Sequence, residues 1–126
     1  MITDKDQEIR ARFVRGLLDY IILQQLNVKE LYGYELIANI RKIFGVNYGA
    51  SIIYPYLADM EENGCVSSYW NLDNERPRKM YTLTEEGKRL RVVFGEKIGE
   101  MLQKLNNLTI EDLVTQVSPV EDDEDI

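Results

Sequence analysis

At 126 residues the chain can bury one hydrophobic core and is too short to expect two. Its 44% hydrophobic and 29% charged content exclude disordered, collagen-like and membrane-spanning classes, and no apolar run approaches the roughly 18 residues that a bilayer span requires. With formal charge −7, no histidine and Cys65 as the one cysteine, the chain lacks the commonest general base, the commonest metal ligand and any internal disulfide, so no enzyme, metal or cofactor is expected.

The opening MITDKDQEIR has no apolar signal-peptide centre, which points to a cytoplasmic protein. From Glu8 to Leu26, Val14, Leu17, Leu18, Ile21 and Ile22 follow the spacing of one helix face, and Phe13, Tyr20, Leu23 and Leu26 widen it into a mostly buried first helix. A second helix is predicted from Gly33 to Phe44, with Leu36, Ile37, Ile40, Ile43 and Phe44 inward and Gly45 as its stop. Ser51 is the expected N-cap of a third helix ending near Asn63 and Gly64, whose inner face is Ile53, Tyr56, Leu57 and Met60. Pro55 then falls at the end of its first turn, where few intrahelical bonds are lost.

Two strands follow, CVSSYWNL and RKMYTLT, joined by the turn-like DNERP into a hairpin, with Cys65 as a small apolar residue at its start. Thr84 caps a last helix to about Leu108, where Phe94, Ile98, Met101, Leu105 and Leu108 make a heptad seam. Cations and anions balance over residues 1–91, so the whole −7 arises later, much of it in the closing run EDDED, read as a solvated, mobile tail over 109–126. Three helices and a hairpin are the layout of a winged helix-turn-helix, in which the third helix enters the DNA major groove. The expected class is mainly α with a small β-hairpin: a DNA-binding domain over residues 8–84 and a dimerisation helix over 85–108.

LYGYEL at the second helix, IIYPYLADMEENGCV through the third and ERPRKMYTLTEEGKRL at the wing together resemble the PadR-like family of winged-helix transcriptional regulators over about residues 15–91. The likeness implies a homodimer built through one C-terminal helix, as in the smaller class of the family, repressing transcription from a palindromic operator. It also implies response to a small-molecule effector, although no residue set here identifies one. Matched by position, Ser51 and Tyr54, with Pro55 of the same Tyr-Pro element, fall where such proteins meet DNA from the third helix, and Arg78 and Lys79 where the wing does. The chain departs from the pattern in carrying Ile52 and Ile53 where members often have Gly-Thr or Gly-Ser.

Residues 76–91 are locally cationic, which fits phosphate contact by Arg76, Arg78 and Lys79 better than an ordinary solvated turn. Tyr54 lies across the third helix from Leu57 and Met60, placing its hydroxyl toward a phosphate, whereas Asp59, Glu61 and Glu62 should stand clear of one. Trp70 is assigned to core or subunit packing in preference to ligand stacking. Phe94, Ile98, Met101, Leu105 and Leu108 are assigned to dimerisation, because the first helix already supplies a wide stripe for the core. The rival reading is a winged-helix module that binds protein and not DNA.

Overall fold

The computed structural model describes residues 3–73 and 75–114, so the EDDED tail lies outside the described residues. The chain folds as α1 (Asp4–Gly16), α2 (Leu18–Val28), β1 (Leu31–Tyr32), α3 (Gly33–Phe44), α4 (Ala50–Glu62), β2 (Val66–Asn71), β3 (Arg78–Leu83), α5 (Glu85–Asn106) and a 3-10 turn (Ile110–Asp112). None of the described helices is long and apolar enough to cross a membrane. The strands form an antiparallel sheet in the order β1-β3-β2, so the expected hairpin acquires a third, two-residue strand along the edge of β3.

The expected first helix is two helices. Thr3 and Asp6 form a capping box that starts α1 earlier than the apolar stripe suggested. After Gly16, a weak helix former, Leu17 leaves the helical region at φ −117° and ψ 21°, and its N–H bonds back to Val14 O in a tightened turn. Only Val14 of α1 is buried, against Leu18, Ile21, Ile22, Leu23 and Leu26 of α2. The bend lets α1 reach the loop between α3 and α4, where Gln7 Nε2 donates to Gly45 O at 2.6 Å and Tyr48 OH donates to Ala11 O at 2.7 Å.

α3 begins where Glu35 Oε1 accepts from Tyr32 N at 3.1 Å, and it ends on Gly45 in the left-handed region at φ 73°. α4 corrects the expected cap. Gly49, not Ser51, is its N-cap, with its carbonyl accepting from Ile52 N and Ile53 N, and Ser51 lies exposed in the first turn without a capping bond. Pro55 is consequently two residues deeper than expected, and the carbonyl that loses its partner belongs to exposed Ser51, where solvent can take the bond. Gly64 ends α4 at φ 81°, with Cys65 N bonded to Met60 O and Gly64 N to Glu61 O, the pairing of a Schellman cap.

Leu36, Ile37 and Ile40 of α3, Ile53, Leu57 and Met60 of α4, and Leu31, Val66 and Tyr81 of the sheet close over α2 in one core. Its apolar burial drives the fold, each fully covered Leu or Ile contributing about 1.5–3 kcal/mol. Cys65 is buried at the entry to β2, as its neighbours suggested. Thr84 caps α5: Oγ1 accepts from Gly87 N at 3.0 Å and donates to Gly64 O at 2.6 Å. Gly87 is required there, since a Cβ would collide with the Cys65 carbonyl. Leu90 and Phe94 extend that attachment, Phe94 stacking on Tyr20 with ring centroids 5.4 Å apart, and the first compact unit ends only at Gly95, inside α5.

Candidate nucleic-acid interface

α3 and α4 form the helix-turn-helix, joined by residues 45–49. Ile53, Leu57 and Met60 turn α4 inward, which leaves Ser51, Tyr54, Pro55 and Asp59 exposed on its outer side. The Tyr54 ring rests across Gly33 at the start of α3, where a Cβ would overlap both the hydroxyl and the ring. A cleft of about 640 Å³ opens beside it, and its walls include Tyr32, Tyr34, Tyr54, Trp70, Arg76, Arg78 and Lys79. Helix and wing residues that were assigned to DNA separately therefore line one concavity. Of the helix residues so assigned only Tyr54 takes part; Ser51 and Pro55 are not among its lining residues.

The strand pairing explains how the wing offers its cations. Lys79 stands opposite Trp70 and Tyr81 opposite Ser68, so these four side chains share one sheet face, while Arg78, Met80 and Tyr32 share the other. β1 pairs only with Met80 and Tyr81, which leaves the edge of β3 open at Arg78 and Lys79. The Arg78 guanidinium lies 4.5 Å from the centre of the Tyr32 ring, a stacking that orients the group and consumes no charge. Lys79 Nζ lies 5.8 Å from the Tyr81 ring centre and 3.9 Å from Glu61 Oε1. Burial, then the charge of Glu61, then Tyr54, push the Tyr81 hydroxyl above the usual tyrosine range, so it stays a neutral donor at physiological pH.

The cationic run from 76 to 91 divides. Lys88 and Arg89 pair with Glu85 and Glu86 on the outer turn of α5, and Arg91 Nη1 donates to Gln24 Oε1 at 2.9 Å. Among the described residues neither Arg76 nor Arg78 has an ion-pair partner. Trp70, assigned to core or subunit packing, is 60% exposed and lines the cleft, so the core half of that assignment is not met. Tyr32 and Tyr34 were missed as site residues, because β1 is too short to show a period; Glu35 three residues after Tyr32 was the available signal for a helix start.

The α5 seam is mostly open. Phe94 is partnered by Tyr20, Ile98 is half-buried, and Met101, Leu105 and Leu108 are exposed together with Leu102. On the flank of this stripe Glu100 sits between Lys97 and Lys104, whose charges hold its carboxyl below the usual range.

Gly33→Ala isolates the role of the Tyr54 position. The backbone there needs no left-handed conformation, so the added methyl displaces the far end of Tyr54 and little else. Duplex affinity is expected to fall about three- to tenfold with the thermal midpoint nearly unchanged. Equal affinity of Gly33→Ala and the parent in an anisotropy titration would remove Tyr54 from the interface.

A sequence model described as the transcriptional regulator PadR-like family matches residues 22–92. No curated protein matches the sequence. Among solved structures, a transcriptional regulator from Clostridium thermocellum superposes with TM-score 0.69 at 28% identity, covering 78% of this chain and 98% of its own. A PadR family transcriptional regulator from Eggerthella lenta gives TM-score 0.69 at 27% identity, with 84% and 96% covered. A PadR family transcription regulator from Clostridium difficile gives 0.65 at 28% identity, with 72% and 96% covered.

Proposed function

Because the chain belongs to the PadR-like family of transcriptional regulators, we propose that it is a homodimeric repressor that binds a palindromic DNA operator through α4 and the β2–β3 wing, and works in the cytoplasm. The observation that carries this reading is the shared cleft: Tyr54 from α4 and Arg76, Arg78 and Lys79 from the wing line one concavity. In the proposed complex the exposed start of α4, with Ser51, Tyr54 and Pro55, enters the major groove, and the wing cations lie along flanking phosphates. The outer side of α4 is poor in Arg, Asn and Gln, so duplex shape carries much of the discrimination. Residues 8–84 hold DNA and 85–108 hold the second copy through the α5 seam, with exposed Ile9 and Phe13 of α1 as a further apolar surface for it.

Selecting bound fragments from random duplex DNA tests the reading. The expected product is a palindrome whose half-sites lie about 34 Å, or one helical turn, apart. Binding indifferent to salt, or no enrichment, would leave the protein-binding alternative in its place.

A further inference from the structure

Glu61, expected to stand clear of phosphate, is held by two groups of the wing. It is the penultimate residue of α4, and two groups on β2 and β3 hold its carboxylate: Ser68 Oγ donates to Oε2 at 2.6 Å, and Lys79 Nζ lies 3.9 Å from Oε1. The register that sets Ser68 opposite Tyr81 and Trp70 opposite Lys79 turns Ser68 and Lys79 toward the same side of the sheet, so both reach one carboxylate. Ser68 is neutral: it fixes the position of Glu61 without cancelling its charge. The side chains of Lys79 and Glu61 are 41% and 38% exposed, so solvent screens their pair and Lys79 can leave it at little cost.

We propose that Glu61 is a built-in competitor for phosphate at the wing, a positioning residue that holds the Lys79 ammonium in the free protein and must give it up when the wing meets a duplex. The inference rests on the DNA-binding reading above. On binding, Lys79 exchanges carboxylate for phosphate, and the carboxylate stays pinned by Ser68 beside a polyanion. It repels the backbone or draws a cation from solution, and that uptake cancels part of the counterion release that drives association. Both effects reduce the affinity that is independent of sequence and leave groove contacts from α4 untouched, so Glu61 raises the ratio of specific to non-specific binding. Arg76 and Arg78, which have no carboxylate partner among the described residues, are not restrained in this way.

The test compares the parent, Glu61→Gln and Glu62→Gln on a fluorescent random-sequence duplex over a range of salt. Glu61→Gln keeps an acceptor for Ser68 and removes the charge; Glu62→Gln removes the same charge one residue on, where among the described residues no wing cation is paired with it. Glu61→Gln is expected to bind about three- to tenfold more tightly at low salt, with a salt slope steeper by up to about one ion, and Glu62→Gln to gain much less. In a Lys79→Met background the part of the Glu61→Gln gain that comes from releasing Lys79 should vanish, leaving the smaller part owed to repulsion of the backbone by the carboxylate that Ser68 holds. An equal gain from Glu62→Gln, a full gain without Lys79, or unchanged affinity and slope would each overturn the inference while the DNA reading stands. Loss of duplex binding by the parent itself would overturn both.

Discussion

Duplex affinity in Arg78→Glu/Lys79→Glu protein is expected to fall on the order of a hundredfold at low salt, about equally for operator and unrelated DNA, and the salt slope to flatten by about two ions. The uniform loss follows from the proposed complex, in which both side chains, on the open edge of β3, meet phosphates and no base edges. The fold should survive the change. Arg78 gives up a stacking on Tyr32 at 4.5 Å, an interaction of roughly 0.5–1 kcal/mol at such an exposed site, and Lys79→Glu replaces one screened ion pair with a repulsion from Glu61 that solvent also screens. A thermal midpoint within a few degrees of the parent is therefore the control, and affinity equal to the parent would detach the wing from DNA. The two substitutions test the cleft from its two sides: reversal of the wing cations should weaken all sequences together, and displacement of Tyr54 through Gly33 should do so to a smaller extent.

The elements most legible in the sequence are those fixed by local chemistry. The stripe Leu36, Ile37, Ile40 places α3, Thr84 starts α5 through its own hydroxyl, and aromatic and β-branched runs on either side of DNERP give β2 and β3. What was not legible depended on partners distant in sequence. The break at Leu17 interrupts a stripe that reads as continuous, because periodicity reports which side of a helix is apolar and not whether the axis bends. Ser51 has the chemistry of a cap, yet the Gly49 carbonyl takes the first bonds of α4, and a serine within a first turn looks the same in sequence as one before it. β1 exists only because β3 offers an edge to Leu31 and Tyr32. The Glu61–Lys79 pair joins residues 18 positions apart through a register that no local pattern encodes. In the cleft, the cations could be named from composition, and the aromatic residues that orient them could not.

Ile98→Glu/Leu105→Glu is expected to change the sedimenting species from twice 14.7 kDa to 14.7 kDa. Leu105 is 67% exposed, Met101 54% and Leu108 56%, a cost in apolar hydration that a second α5 would remove at about 25 cal/mol for each Å² covered. Two carboxylates in each copy would instead have to be desolvated beside one another in that contact. Unpaired charges so placed cost several kcal/mol each, enough to dissociate a small interface. The core of the first unit does not use Leu105, so helical circular dichroism should persist in the monomer. DNA binding supplies the second readout: with half-sites no longer joined, operator affinity should drop by about 10²-fold or more, while single half-site binding keeps its salt slope per wing. Lys97→Ala, on the flank of the seam beside Glu100, should leave the dimer intact. Sedimentation of the double variant as a dimer would place the contact elsewhere, with exposed Ile9 and Phe13 of α1 the next surface to change.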